Sequence, residues 1–202
     1  MCRLAFAALL AFFAHAAFAT TYTLEPNYTQ GVLRWNHLGF SYPAAQFAQG
    51  TGTLEFDEKD PAMSSIKVTI PIASLSTGVP DLDEHLKSED FFELAKYPTA
   101  TFVSTRVEKG AAMNRFKVTG NLTIRKVTRP VMLDVTLLNV GKNVRTEVAT
   151  IGFDARGTLK RSDFGLGAYV PQVSDEIQLL ITTQAAEAKA QAAYLAAKKA
   201  GK

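Results

Sequence analysis

The chain of 202 residues is 47% hydrophobic and 20% charged, with 13 Gly, 8 Pro and one Cys. These proportions exclude a disordered or collagen-like polymer and allow one domain with a core of its own. The formal charge of +3 is too small to imply nucleic acid by itself, and part of it sits at the end, in Lys189, Lys198, Lys199 and Lys202.

Arg3 is followed by an apolar run from Leu4 to Ala14 and then by Ala17-Phe18-Ala19. A positive start, an apolar run of this length and an A-x-A ending predict a secretory signal peptide over 1–19, cleaved after Ala19. The competing reading, an uncleaved membrane anchor, needs about 20 apolar residues, and His15 breaks the run. Cleavage removes Cys2 and His15, so the mature chain from Thr20 has no cysteine for a disulfide, and its histidines are His37 and His85. Cys2 precedes the apolar run, the wrong place for a lipid-modified cysteine. A protein of the periplasm or the external medium is expected.

From Thr21 to about Thr183 the dominant signal is period-2 alternation in segments rich in Val, Ile, Thr and Phe. It predicts strands over 31–36, 46–57, 66–72, 99–107, 116–124, 131–137, 147–159 and 176–183, with turns at 57–61, 108–110 and 140–143. About eight strands without helices of crossover length favour an antiparallel sandwich or barrel over a parallel α/β sheet, and closing the sheet removes exposed edges. Between them, Asp81 to Ala95 reads as one or two short helical turns, with Ser88 as N-cap for Glu89 to Leu94, and Tyr97-Pro98 then forces an extended chain. The stretch 185–202 is rich in helix formers and poor in large apolar residues, which predicts a frayed or surface-lying helical tail. Its lysines suit transient contact with an anionic membrane surface, but Tyr194 and Leu195 give too little apolar face for firm insertion, and a solvated tail is the plainer reading.

No CxxC, HExxH, GxSxG or GxxxxGK[ST] occurs, and Gly50-Thr-Gly52 and Gly165-Leu-Gly167 lack the third glycine of a dinucleotide loop. A metal site or triad would have to be assembled from His37 or His85 with Asp81, Asp83 or Glu84, and no spacing supplies a third ligand or a nucleophile. No cofactor and no metal are expected. Asn27-Tyr-Thr29 and Asn121-Leu-Thr123 match the glycosylation sequon and read as ordinary turn or strand residues.

Seven motifs in order give the mature chain its strongest signal: Tyr22-Thr-Leu-Glu-Pro26, Trp35-Asn-His37-Leu-Gly-Phe40, Ile72-Ala-Ser-Leu-Ser-Thr77-Gly78, His85-Leu-Lys-Ser-Glu-Asp-Phe-Phe92, Lys96-Tyr-Pro98 with Thr101-Phe102, Gly120-Asn-Leu-Thr-Ile124 with Val127-Thr-Arg-Pro-Val131, and Arg161-Ser-Asp-Phe-Gly165. Together they resemble the YceI-like lipid or polyisoprenoid-binding proteins. The resemblance implies an all-β, lipocalin-like antiparallel barrel over 20–184, around an apolar tunnel that holds an isoprenoid chain. It also implies an exported protein, often a homodimer, whose ligand is an isoprenoid lipid headed by a quinone or a polyprenyl phosphate. The family's usual arginine is replaced here by Leu82, before Asp83, and Lys126 stands where Gly is common. Losing a fixed cation weakens the case for a pyrophosphate head and favours a neutral quinone.

On this reading His37, Thr77, Asp83, His85 and Arg161 contact the head group, and Phe40, Phe91, Phe92 and Phe164 line or gate the tunnel. His85 could donate to a quinone carbonyl or a phosphate oxygen, or instead tie the helical connection to the barrel through a buried hydrogen bond. Phe91 and Phe92 are expected to split, one anchoring the connection and the other nearer the tunnel mouth. Arg161 and Asp163 could equally form a turn or rim ion pair. Two other functions compete with a non-enzymatic carrier. One is a barrel filled by its own side chains that binds a protein partner, and the other is a hydrolase-type enzyme with His85 and Asp83 as acid and base.

Overall fold

Alternation with one face apolar makes a strand that must bury that face, and the chain satisfies every such strand against the next. A computed structural model describes residues 19–201; the signal peptide expected over 1–19 lies outside them except for Ala19. The strands are β1 (Thr20–Leu24), β2 (Gln30–Arg34), β3 (Ala44–Phe47), β4 (Thr51–Phe56), β5 (Ser65–Pro71), β6 (Thr99–Lys109), β7 (Arg115–Ile124), β8 (Val127–Lys142), β9 (Ala149–Lys160) and β10 (Glu176–Glu187). Helix α1 (Pro80–Lys87) lies between β5 and β6, and α2 (Ala188–Ala200) follows β10.

All neighbours are antiparallel, in the order β1-β4-β5-β6-β7-β8-β9-β10, and β1 pairs back onto β10 to close an eight-strand barrel. Strands β2 and β3 are the continuations of two staves. β1 covers Ala185 to Glu187 of β10 and β2 covers Gln178 to Thr182, so the pair is one stave interrupted at 25–29. β3 and β4 repeat this beside them, interrupted at 48–50, where Gln49 takes a left-handed φ of 59°. Reciprocal backbone bonds between Gln46 and Ser76, at 2.8 and 2.9 Å, seal β3 to the segment beyond β5.

Five departures from the sequence expectations follow from local physics. The N-terminal β1 was not among the predicted strands, and the predicted strand over 46–57 is two pieces. β8 runs through Val140 and Gly141 to Lys142, with a register shift between Leu137 and Asn139, so its turn falls after Lys142. Pro80, suited to the first helical position, starts α1 ahead of the expected turns, and Ser88 ends that helix by donating to the His85 carbonyl at 2.8 Å instead of opening a second one. β10 continues through Ala185 and Ala186, both 1% exposed, so the helical tail begins at Ala188, capped by the Glu187 carboxylate, which accepts from the Lys189 and Ala190 amides.

This topology gathers the 35–43, 72–98, 125–126 and 161–175 connections at one end, and the 57–64, 110–114 and 143–148 connections with α2 at the other. The interior differs between the two. At the α2 end Tyr22, Leu24, Leu54, Phe56, Ile151 and Ala185 pack into a closed cluster, with Ile151 fully buried. Towards the α1 end a larger ring of side chains lines the wall without filling the middle.

Candidate functional site

The unfilled space is a cavity of about 670 Å³, within the range of roughly 300–1,000 Å³ common to small-molecule sites. Its wall is built from the inward positions of the staves: Ile66, Val68 and Ile70 of β5, Phe102 of β6, Val118 and Leu122 of β7, Leu133 of β8 and Leu179 of β10. Gly120 of β7 also points inward, and a Cβ there would fall 2.3 Å from the Phe102 ring, so glycine is what lets that aromatic lie flat along the wall. Polar groups are few and clustered. His37, His85, Arg161 and Gln172 stand at the α1 end, Ser64 and Ser65 at the other, and Thr29 and Thr183 face each other where the first stave breaks, their hydroxyls 2.7 Å apart. Such a space takes an apolar chain with one small polar end. The filled-barrel alternative therefore describes only the α2 half of the interior.

The mouth is organised by α1. Asp83 accepts from the Thr77 amide at 2.5 Å and from the Thr77 hydroxyl at 2.6 Å, which ties the 76–79 turn to the helix. These hydrogen bonds from Thr77 hold the Asp83 carboxyl below the usual carboxylate range. Two residues on, the His85 ring meets Phe91 edge-on at 5.1 Å and Tyr169 at 6.0 Å, and Phe91 stacks on Tyr169 at 6.4 Å. The His85 imidazole makes no hydrogen bond to another described residue, so both its nitrogens are free for a ligand. The hydrogen-bonded tie that was the alternative reading of His85 gives way to aromatic packing, and Asp83, committed to Thr77, forms no acid–base pair with His85. Phe92 points to the wall instead, edge-on to Phe47 of β3 at 5.4 Å.

Arg161 is 7% exposed and donates to four carbonyls: Ser174 at 2.9 Å, Ala168 at 2.7 Å, Val173 at 3.0 Å, and Leu166. Burial lowers its pKa, and the nearby Asp175 carboxylate works against that. Its guanidinium is thus the organiser of the 165–174 loop, which delivers Tyr169, Gln172 and Val173 to the mouth. The ion pair expected with Asp163 is not formed. Asp175 is the carboxylate near Arg161, and it accepts from the Ser162 amide and hydroxyl at 2.8 and 2.7 Å.

Of the nine residues the sequence nominated, the structure brings His37, His85, Phe91, Phe92 and Arg161 to the cavity. Phe40 is 91% exposed at the tip of the β2–β3 hairpin. Thr77 and Asp83 bond to each other behind the mouth, and Phe164 is 1% exposed in the core beneath the Arg161–Phe164 turn. Leu82, weighed in the sequence for its effect on the head group, lines the cavity, and so do Tyr169, Gln172, Thr29 and Thr183, which sequence reasoning passed over. Leu82 puts an apolar side chain at the mouth. Among the rest, the signal in the sequence was Tyr169, an aromatic inside a loop with Gly165, Gly167 and Pro171, and the structure gives it a left-handed φ of 63°. No group of three or more His, Cys, Asp or Glu able to hold a metal ion occurs among the described residues.

Comparison with known proteins fits this geometry. The YceI-like domain family matches residues 22–185, the barrel but for the first two residues of β1 and the last two of β10. The protein YceI of Escherichia coli O157:H7 is 36% identical over 188 residues, covering 92% of this chain and 96% of the relative. The crystal structure of the YCEI protein of Campylobacter jejuni superposes with a TM-score of 0.67 at 34% identity, over 76% of this chain and 90% of that one. A polyisoprenoid binding domain from Saccharophagus degradans shares the fold, with a TM-score of 0.57 at 14% identity over 85% and 99%. A barrel closed in this order and matched along its length by both sequence and structure places the chain in the YceI-like family.

Proposed function

We propose that the protein is an exported, non-enzymatic carrier or store for an isoprenoid lipid with a neutral, quinone-like head. The observation that carries this reading is the hollow half of the barrel, an apolar cavity of about 670 Å³ with His37, His85, Arg161 and Gln172 at its α1-end mouth. The polyisoprenoid binding domain of Saccharophagus degradans, on the same fold, supports the choice of ligand class. Leu82 at the mouth, and a buried Arg161 whose donors are spent on loop carbonyls, favour an uncharged head over a diphosphate. His85, with free ring nitrogens, is the group that would donate to a quinone carbonyl.

Sheltering a prenyl tail from water is worth about 25 cal/mol per Å², but in a bilayer that tail is already dry, so transfer needs a route that avoids water. The exposed aromatics Phe40, Tyr42 and Tyr169, with Leu38, surround the mouth and suit brief contact with a membrane surface there. The basic helix α2 lies at the opposite end and is not the element for that contact.

The first test is native mass spectrometry of the protein purified from its own periplasm, followed by solvent extraction of the contents. A stoichiometric prenyl quinone is the expected result. A protein that is consistently empty and rejects added lipid overturns the reading. Trp35, the single tryptophan, lines the cavity and gives an independent signal, because a quinone that enters quenches its fluorescence.

A further inference from the structure

The rim at the α1 end is uneven in charge. Two neighbouring connections, the hairpin between β2 and β3 and the loop between β9 and β10, hold no Asp, Glu, Lys or Arg over 35–43 and 164–174. The other two, 72–98 and 125–126, bring charges of both signs to the surface, among them Asp81, Glu84, Glu89, Asp90 and Lys126. The charge-free half nonetheless turns large side chains outward: Phe40 is 91% exposed, and Leu38, Tyr42 and Tyr169 are each about half exposed or more. A contiguous exposed apolar patch marks a contact site.

The backbone holds these side chains in place. Leu38 and Gly39 take left-handed φ values of 56° and 80°, which folds the hairpin tip tightly, and the Phe40 amide closes it by donating to the His37 carbonyl at 3.0 Å. Asn36 fixes the hairpin to the second loop: its amide donates to the Ser174 hydroxyl at 2.9 Å, and its carbonyl accepts from the Ser174 amide at 3.0 Å. The two loops are therefore one braced tip. Leu38 and Tyr169 also line the cavity, so the patch is continuous with the mouth, whereas Phe40 stands clear of the cavity wall.

Size and chemistry select what covers the patch. An aromatic side chain buries about 150–250 Å² when fully covered, so the exposed parts of these four residues offer roughly 500 Å². A stable protein interface takes about 800 Å² from each partner. A projecting tip of this size suits a fluid bilayer, which closes around it without a complementary surface. Arg34, exposed at the base of the hairpin, lies over the Tyr42 ring at 5.7 Å, which sets a guanidinium at phosphate level when the aromatic tip is immersed.

Resting on the carrier reading above, and narrowing its membrane contact to one half of the rim, we propose that the 35–43 hairpin and the 164–174 loop insert together into a lipid bilayer. Phe40 goes deepest, Arg34 stays at the phosphates, and the charged half of the rim stays in water. The drive is burial of apolar surface, so binding needs no anionic lipid and resists salt. The test is co-sedimentation with phosphatidylcholine vesicles, with and without phosphatidylglycerol, at low and high salt, on the protein purified as for the extraction. Binding to the neutral vesicles is expected, and salt leaves it within about twofold. Phe40→Asp should lower it at least about tenfold and Phe40→Trp should hold it within about twofold. Phe40→Asp should still take up a short-chain, water-soluble prenyl quinone, read by quenching of Trp35. Hydrogen exchange on vesicles should slow in both 35–43 and 164–174 and not in 80–90. The proposal is overturned by no binding to neutral vesicles, by binding that requires phosphatidylglycerol and fades with salt, by Phe40→Asp binding as before, or by protection of 80–90 equal to that of the hairpin. Self-association in place of vesicle binding, abolished by Phe40→Asp, also overturns it and makes the patch a contact between copies. Vesicle binding as expected with no uptake of the quinone overturns the carrier reading and leaves the insertion standing.

Discussion

Arg161 shows how one side chain can build a mouth it need not act in. Four carbonyls from a loop of irregular backbone converge on its guanidinium, and in a buried setting each would otherwise be left unpaired. Arg161→Lys keeps the charge but loses the fork, so several of these carbonyls lose their donor. The expected cost is about 2–4 kcal/mol, read as a fall of roughly 5–15 °C in Tm, together with faster amide exchange in the 165–174 loop. Asp83 carries a second expectation. Its folded-state pKa is depressed by the Thr77 hydrogen bonds, so the unfolded chain binds the acid proton more readily and stability rises with pH in that range. The contribution is whole above the ordinary aspartate value and is lost as the pH falls through the lower folded value. Asp83→Asn should remove this acid-side slope in denaturant titrations, while the neutral-pH fold persists.

Among the elements, what was legible and what was not have separate causes. β5, β7 and β9 were plain because inward and outward positions alternate without interruption. The break between β3 and β4 was not, since Gln49 adopts its left-handed turn only because both halves are already hydrogen-bonded to neighbouring staves. Tyr169 was missed as a site residue for a similar reason: its loop has no period of its own and is shaped by the remote Arg161. Helix α2 gave its identity readily but not its docking. The Gln191 amide donates to Glu25 at 3.4 Å, which leaves Glu25 Oε2 and Gln191 Oε1 buried without partners. Glu25→Gln would supply the missing donor and close a two-bond amide pair. The expected outcome is slower hydrogen exchange over Ala188–Ala200 and a gain of about 0.5–1.5 kcal/mol.

At the scale of the whole molecule, the barrel is two interiors in one sheet. Period-2 alternation marks which residues face in, but the volume left over depends on how eight staves of different side chains meet, which no single strand encodes. The difference should appear in truncations. Ile151→Ala, in the packed half, removes contacts on every side and is expected to cost about 3–5 kcal/mol. Leu179→Ala, on the cavity wall, already lacks neighbours on one side and should cost about 1–2 kcal/mol less by equilibrium denaturation. The hollow half also makes the unloaded protein unusually compressible for its size. Unfolding eliminates the void, so hydrostatic pressure should unfold the empty barrel well before the occupied one, and a pressure midpoint would report how many molecules in a preparation carry cargo.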